Sequence, residues 1–249
     1  TYAQIDARAN RLAHALIGLG LQPGARVAVL LNNSVASLET VIGVAKAGLV
    51  FVALNARHAA PEHAAILDDC GAEAVIAGPE FAALAPVLGS HGPLIGLGWG
   101  DLRYDDLLAA QRDHAPRVEV DEDALVRIAY TSGTTGQPKG IAYSFRRLKT
   151  RYDNFFAALE YRLGPQDSMI HVGPLTHAAG NYLLPYYLRG ARNVILPRFD
   201  PDLVLRTVEA QRITHLFLVP TMLIRLLDHL DADASYDLSS LTVINYGTA

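Results

Sequence analysis

The sequence predicts an α/β protein made of two packed α/β subdomains with mostly parallel sheets. Short apolar runs of strand length, RVAVLL at 26–31 and LVFVAL at 49–54 among them, alternate with longer segments whose apolar residues recur at helical spacing. The alternation continues along the chain without internal repeats or a low-complexity linker, and successive βαβ units favour parallel pairing. With 249 residues, 51% hydrophobic and 18% charged, the chain has enough apolar material for one large or two ordinary cored domains.

Taken in order, Thr1 and Gln4 have the spacing of a capping box. Ile5, Ala9, Leu12, Leu16 and Leu19 continue at helical intervals until Gly20 stops them. A strand at 26–31, a helix at 34–47 and a strand at 49–54 follow, then a helix around 61–69, a strand at 74–76 and a short helix at 79–88. The glycine-rich stretch 89–100 is no dinucleotide loop, because no strand-to-helix frame with the required glycine spacing surrounds it. The second half reads as helix 144–161, strand 168–172, helix 181–188, strand 193–196, helix 200–211, strand 215–219, helix 221–230 and strand 241–246.

Tyr130-Thr131-Ser132-Gly133-Thr134-Thr135-Gly136-Gln137-Pro138-Lys139-Gly140 concentrates hydroxyls, glycines and one lysine. Hydroxyls donate to anionic oxygens, glycine lets backbone N–H groups approach, and lysine adds a mobile charge. The pattern is that of a phosphate-gripping loop, but not of a Walker loop. Gly133 and Gly136 are three apart, and Pro138 biases Gln137 toward extended backbone. Residues 141–143 read as a strand, so the loop is expected to join two strands.

A second segment, Gly173-Pro174-Leu175-Thr176-His177-Ala178-Ala179-Gly180, follows a strand and precedes a helix, which puts His177 at a strand end. Taken alone, such a histidine is more often a structural hydrogen-bonder. Val219-Pro220-Thr221-Met222 has the form of a helix entry, with Pro220 suited to the first position. Asn245-Tyr246-Gly247-Thr248-Ala249 ends the sequence.

Residues 130–140 resemble the signature loop of the adenylate-forming, or AMP-binding, superfamily, which holds acyl-CoA synthetases, luciferases and peptide-synthetase adenylation domains. The Pro-Leu-x-His-x-x-Gly spacing resembles the acyl-CoA synthetase branch. The resemblance implies that Thr131, Ser132, Gly133, Thr134, Thr135, Gly136 and Lys139 hold the ATP phosphates, with Thr134 and Lys139 assisting catalysis. It implies that His177 borders the substrate carboxylate, that Thr221 borders the acyl pocket, and that Gly247, Thr248 and Ala249 lie beside adenine and the acyl group. Tyr246 stands where relatives carry the first glycine of that last segment.

Amino-acid-activating domains carry a Phe-Asp-x-Ser element whose aspartate pairs with the substrate ammonium. That aspartate is missing here, and a buried ammonium without a counter-charge is costly. A plain carboxylic acid, fatty or aromatic, is the implied substrate, with ATP, Mg2+ and coenzyme A as cosubstrates and no protein metal ligands assigned. The implied division puts 26–163 in one subdomain and 1–20 plus 164–249 in the other. The chain resembles a partial N-terminal adenylation domain: relatives begin earlier and continue into a magnesium-binding glutamate, a ribose-binding aspartate and a C-terminal domain with a catalytic lysine. A non-catalytic nucleotide- or acyl-binding module and a domain loading a carrier-protein thiol are the alternatives, and the resemblance leaves room for a homodimer.

The remaining features have structural readings. Net charge near −4 offers no broad basic surface for nucleic acid. Arg146, Arg147, Lys149 and Arg151 read as a solvated helix face, Tyr182, Tyr186 and Tyr187 as helix packing, and the pairs Asp105/Asp106 and Asp121/Asp123 as solvated loops. Cys70, the single cysteine, rules out an intrachain disulfide, fits a reducing cytoplasmic setting and reads as packing. No stretch approaches ~18 apolar residues and no signal-peptide layout opens the chain, so a soluble protein is expected.

Overall fold

The computed structural model describes residues 1–131, 138–231 and 235–247. The chain forms two compact units, Thr1–Leu31 with Ala36–Phe155, and Asn32–Val35 with Phe156–Ala249. Helix α1 (Tyr2–Gly18) opens the first unit under the expected capping box: Gln4 N donates to Thr1 Oγ1 at 3.4 Å and the Thr1 ammonium donates to Gln4 Oε1 at 2.7 Å. There follow β1 (Arg26–Leu30), α2 (Val35–Lys46), β2 (Val50–Ala53), α3 (Ala60–Cys70) and β3 (Ala72–Ala77). A 3-10 turn at Pro79–Leu84, α4 (Ala85–Leu88), β4 (Leu94–Gly96), β5 (Leu102–Arg103), α5 (Tyr104–Ala109), β6 (Leu125–Thr131), β7 (Lys139–Ser144) and α6 (Phe145–Ala157) complete the sequence up to the second sheet.

The first sheet runs β5-β4-β3-β1-β2-β6-β7, parallel throughout except for the last pair. Both faces are covered, which is why its central strands are apolar without alternation. Val27 and Val29 pack with Leu12, Leu16 and Val44 on one side, while Ala28, Leu30 and Val52 pack with Ile66, Leu67 and Leu88 on the other. Burying each Leu of α1 stabilises by about 1.5–3 kcal/mol, and this fixes α1 in the first unit rather than with the second set of elements, where 1–20 was expected. The unit boundary near 155 also precedes the expected 163.

Three elements were not anticipated: β4, β5 and α5. Strands of three and two residues are too short to show a period, and α5 puts Asp105 and Asp106 in a helical first turn rather than a loop. An acidic first turn suits the positive helix end, and Asp105 accepts from Arg8 Nη2 at 2.8 Å.

The second unit contains β8 (Ser168–His171), α7 (Gly180–Leu188), β9 (Arg192–Ile195), α8 (Pro201–Gln211), β10 (His215–Leu218), α9 (Pro220–Asp231) and β11 (Val243–Tyr246). Its sheet, β11-β10-β8-β9, is wholly parallel. Ile170, Leu216 and Leu218 pack with Val204, Val208 and Leu226 on one face. On the other, the Tyr182 ring lies 4.7 Å from Phe217 and Tyr186 meets His215 edge-on at 5.7 Å, so these tyrosines are helix packing as expected.

Candidate active site

The two ends of the phosphate-loop segment lie on adjacent strands. Strands β6 and β7 are antiparallel, with Tyr130 opposite Gly140 and Thr131 opposite Lys139. A parallel return would need a crossover of a dozen or more residues. Directly opposed residues point to the same face, so a hydroxyl and an ammonium stand together, both exposed, at the carboxyl end of the first sheet. The other predicted loop residues, Ser132, Gly133, Thr134, Thr135 and Gly136, lie outside the described residues.

The base of the hairpin is fastened from the opposite face. The Tyr130 hydroxyl donates to Asp69 Oδ2 on α3, and its ring packs on the Ile66–Leu67 side of the sheet. Burial, and then the Asp69 carboxylate, push the Tyr130 hydroxyl well above the ordinary phenol range. Gly140 makes room for this ring: a Cβ there would lie 3.1 Å from Tyr130 Cζ and 3.1 Å from Ile128 Cγ2. Neighbouring Cys70 is half-buried, and burial pushes its thiol up, away from the thiolate a nucleophile needs.

The second group of predicted residues gathers at the carboxyl end of the second sheet. Strand β8 leads through α7 to β9 on one side while β10 lies on the other, so the loops leaving β8 and β10 diverge at a topological switch point. His177 is exposed in the turn after β8, its N–H donating to Pro174 O at 3.0 Å and its carbonyl accepting from Gly180 N at 3.0 Å. A Cβ at Gly180 would fall 1.9 Å from Leu175 O, so only glycine allows this turn to close. Thr221 is exposed in the first turn of α9, behind Pro220 at the first helical position. Gly247 N donates to Leu218 O at 3.3 Å, extending the β10–β11 ladder by one residue, and Tyr246 before it is 69% exposed. Thr248 and Ala249 lie outside the described residues.

Two supporting residues escaped the sequence reading. Asn33 donates through Nδ2 to Gly173 O at 2.9 Å and Leu196 O at 3.2 Å, and its Oδ1 accepts from Leu175 N at 3.0 Å. One amide thereby ties the loops after β8 and β9. The only available signal was a polar Asn32-Asn33 pair directly after a buried strand. His171, the last residue of β8, is buried and lies 2.6 Å from Asn193 Oδ1 through Nε2. Burial pulls its imidazole down to about 4, against the opposing pull of Asn193.

A groove of about 390 Å3, lined by Phe156, Leu159, Tyr161 and Arg189 among others, contains none of the predicted site residues. The basic cluster of α6 is a solvated face: Arg146 pairs with Glu122 and Asp123, and Lys149 with Asp153.

A family model described as AMP-binding enzyme matches residues 1–249. The chain belongs to the AMP-binding enzyme family. It is 38% identical over 251 residues to a feruloyl-CoA synthase of Amycolatopsis sp, covering 100% of this chain and 49% of that protein. It is 35% identical over 259 residues to an indoleacetate–CoA ligase of Aromatoleum aromaticum, covering 100% and 50%. Among solved structures, the inhibitor-bound N-terminal domain of FACL13 from Mycobacterium tuberculosis matches with a TM-score of 0.91 at 31% identity, over 100% of this chain and 63% of that one. The chain spans about half the length of the curated relatives it matches. Among the described residues no helix is long and apolar enough to cross a membrane.

Proposed function

We propose that this chain supplies the phosphate-gripping and acyl-binding portion of a cytoplasmic, AMP-forming acyl-CoA synthetase. A carboxylate oxygen attacks the α-phosphorus of ATP, the bond to pyrophosphate breaks, and acyl-AMP forms. The coenzyme A sulfur then attacks the acyl carbon, AMP leaves, and the thiol proton is released. Thr131, Ser132, Thr134, Thr135 and Lys139 grip the β- and γ-phosphates, Gly133 and Gly136 admit them to the backbone, and Lys139 offsets charge on the leaving pyrophosphate. Magnesium would accompany the ATP phosphates and neutralise part of their charge.

The observation that carries this reading is the pairing of Thr131 with Lys139 across the β6–β7 hairpin, which brackets the loop with a hydroxyl and an ammonium on one face. His177, Thr221 and Gly247 take the acyl carboxylate and its chain at the second sheet. The relatives named above act on feruloyl and indoleacetyl groups, and an aryl-bearing acid is the first substrate to try, with fatty acids next.

Pyrophosphate release by the longest polypeptide that contains this chain, with magnesium-ATP and a panel of aromatic and fatty acids, tests the proposal. Acid-dependent release with acyl-CoA formation is expected. Release that requires a phosphopantetheinyl carrier protein would make the chain a carrier-loading domain. ATP binding without any release would make it a non-catalytic module.

A further inference from the structure

Arg127 is an arginine set among the apolar residues of β6. It lies in the middle of β6, opposite Phe51 of β2 and Tyr143 of β7, with its guanidinium 5.9 Å from the Phe51 ring centre. Its Nε is buried with no hydrogen-bond partner among the described residues. The groups that act on its charge are Tyr152, Arg151 and Tyr143, and no carboxylate is among them. Arg151, exposed on α6, lies over the Tyr143 ring at 5.9 Å. Two guanidinium groups therefore flank one tyrosine, while Arg146 and Lys149 on the same helix each have an acidic partner.

A guanidinium taken out of water loses more than aromatic ring faces return, so a half-buried arginine beside a second cation calls for an anion. Its orientation gives that anion a place. Arg127, Ala129 and Thr131 alternate onto one face of β6, with Tyr143, Ile141 and Lys139 opposite them on β7. Arg127 thus shares the face of Thr131 and Lys139, about 13 Å further down the strand at ~3.3 Å per residue. A carboxylate would neutralise one of the two guanidinium charges, whereas a phosphoryl group carries about −1.5 to −2 at neutral pH and fits the planar fork of arginine.

We propose that Arg127 and Arg151, flanked by Tyr143 and Tyr152, form a second anion site on this face, separate from the phosphate loop, that takes the phosphoryl group of a small molecule. Burial lowers the tendency of Arg127 to stay charged, and a bound dianion reverses that penalty.

Equilibrium dialysis with two probes, inorganic phosphate and adenosine 3′,5′-bisphosphate, tests the site in the intact protein and in three variants. Lys139→Ala removes what the phosphate loop contributes to binding, and a component that survives this variant is expected from the second site. Arg127→Leu is expected to weaken it at least tenfold and Arg151→Ala several-fold. Arg127→Leu is also expected to raise the thermal midpoint in phosphate-free buffer, with the gap to wild type closing as phosphate is added. Binding of both probes would mark a site for free phosphate, and binding of the bisphosphate alone a site for a phosphorylated nucleoside. The proposal is overturned if neither probe binds, if Lys139→Ala abolishes all binding, or if Arg151→Ala binds like wild type. Arg151 is exposed, so its variant remains informative if Arg127→Leu fails to fold.

Discussion

The two strand-end clusters are held by different means. At the first sheet, Thr131 and Lys139 are placed by backbone register: Thr131 is the last paired residue of β6 and Lys139 the first of β7, and the ladder behind them continues to Leu125 and Ser144. At the second sheet, the His177 turn lies beyond the ladder and depends on single side chains, Asn33 and the His171–Asn193 contact, and on the missing Cβ of Gly180. A ladder spreads its support over many equivalent bonds. A side-chain staple puts it into one or two that a single substitution removes.

The largest expected effect is chemical and belongs to the first cluster. Lys139→Ala should lower acid-dependent pyrophosphate release by roughly 10²–10³-fold, the scale of losing one preorganised charge partner. The denaturation midpoint should barely move, because the residue is exposed and the ladder remains. A large loss of stability would show that the ladder does not hold this end by itself.

The next effect is a pH dependence centred on His171. Its imidazole titrates near 4 when folded and near 6.5 when unfolded, so between those values the unfolded chain binds more protons. Stability therefore rises with pH through this window. The contribution is complete above about 6.5 and is lost as pH falls through 4, in total about 3 kcal/mol. Chemical denaturation from pH 4 to 7 should show this rise, and His171→Gln should flatten much of it. His63 and His215, which burial also pulls down, contribute in the same direction.

Third comes Asn33→Ala, which strands Leu175 N–H and the Gly173 and Leu196 carbonyls. A cost of roughly 2 kcal/mol is expected, together with a raised KM for the acid and an unchanged KM for ATP. Equal shifts in both KM values would dissolve the contrast between the clusters. The smallest effect should come from Tyr130→Phe, which removes the bond to Asp69 at a partly exposed position. About 1 kcal/mol in urea denaturation is expected, with KM for ATP rising severalfold and KM for the acid unmoved.

The same contrast explains what could be read from the sequence. Ladder-borne features leave periodic traces: RVAVLL at 26–31 and the apolar run before Thr131 announce their strands, and Pro138 with the strand after it identifies the loop as a strand connection. Asn33 and His171 leave no distinctive trace, because one polar residue at or just past a strand end has the same local pattern whether it staples two loops or faces solvent. Arg127 was passed over because an arginine within an apolar strand gives no sign of lacking a partner. Helix α1 was placed with the wrong set of elements because spacing marks which face is apolar, not which neighbour covers it. Strands β4 and β5 were missed because three and two residues are shorter than any period.

Asn33 also bears on how this protein can be divided. It lies in a four-residue stretch, Asn32–Val35, that belongs to the second unit although the chain on either side belongs to the first. The second unit is therefore not one continuous piece of polypeptide. A fragment cut to begin at Phe156 would leave its own staple behind, and the loops after β8 and β9 would have to be ordered without it. Transplanting this half into a related scaffold requires carrying those four residues as well, or choosing a host whose first strand already ends in an asparagine at that point.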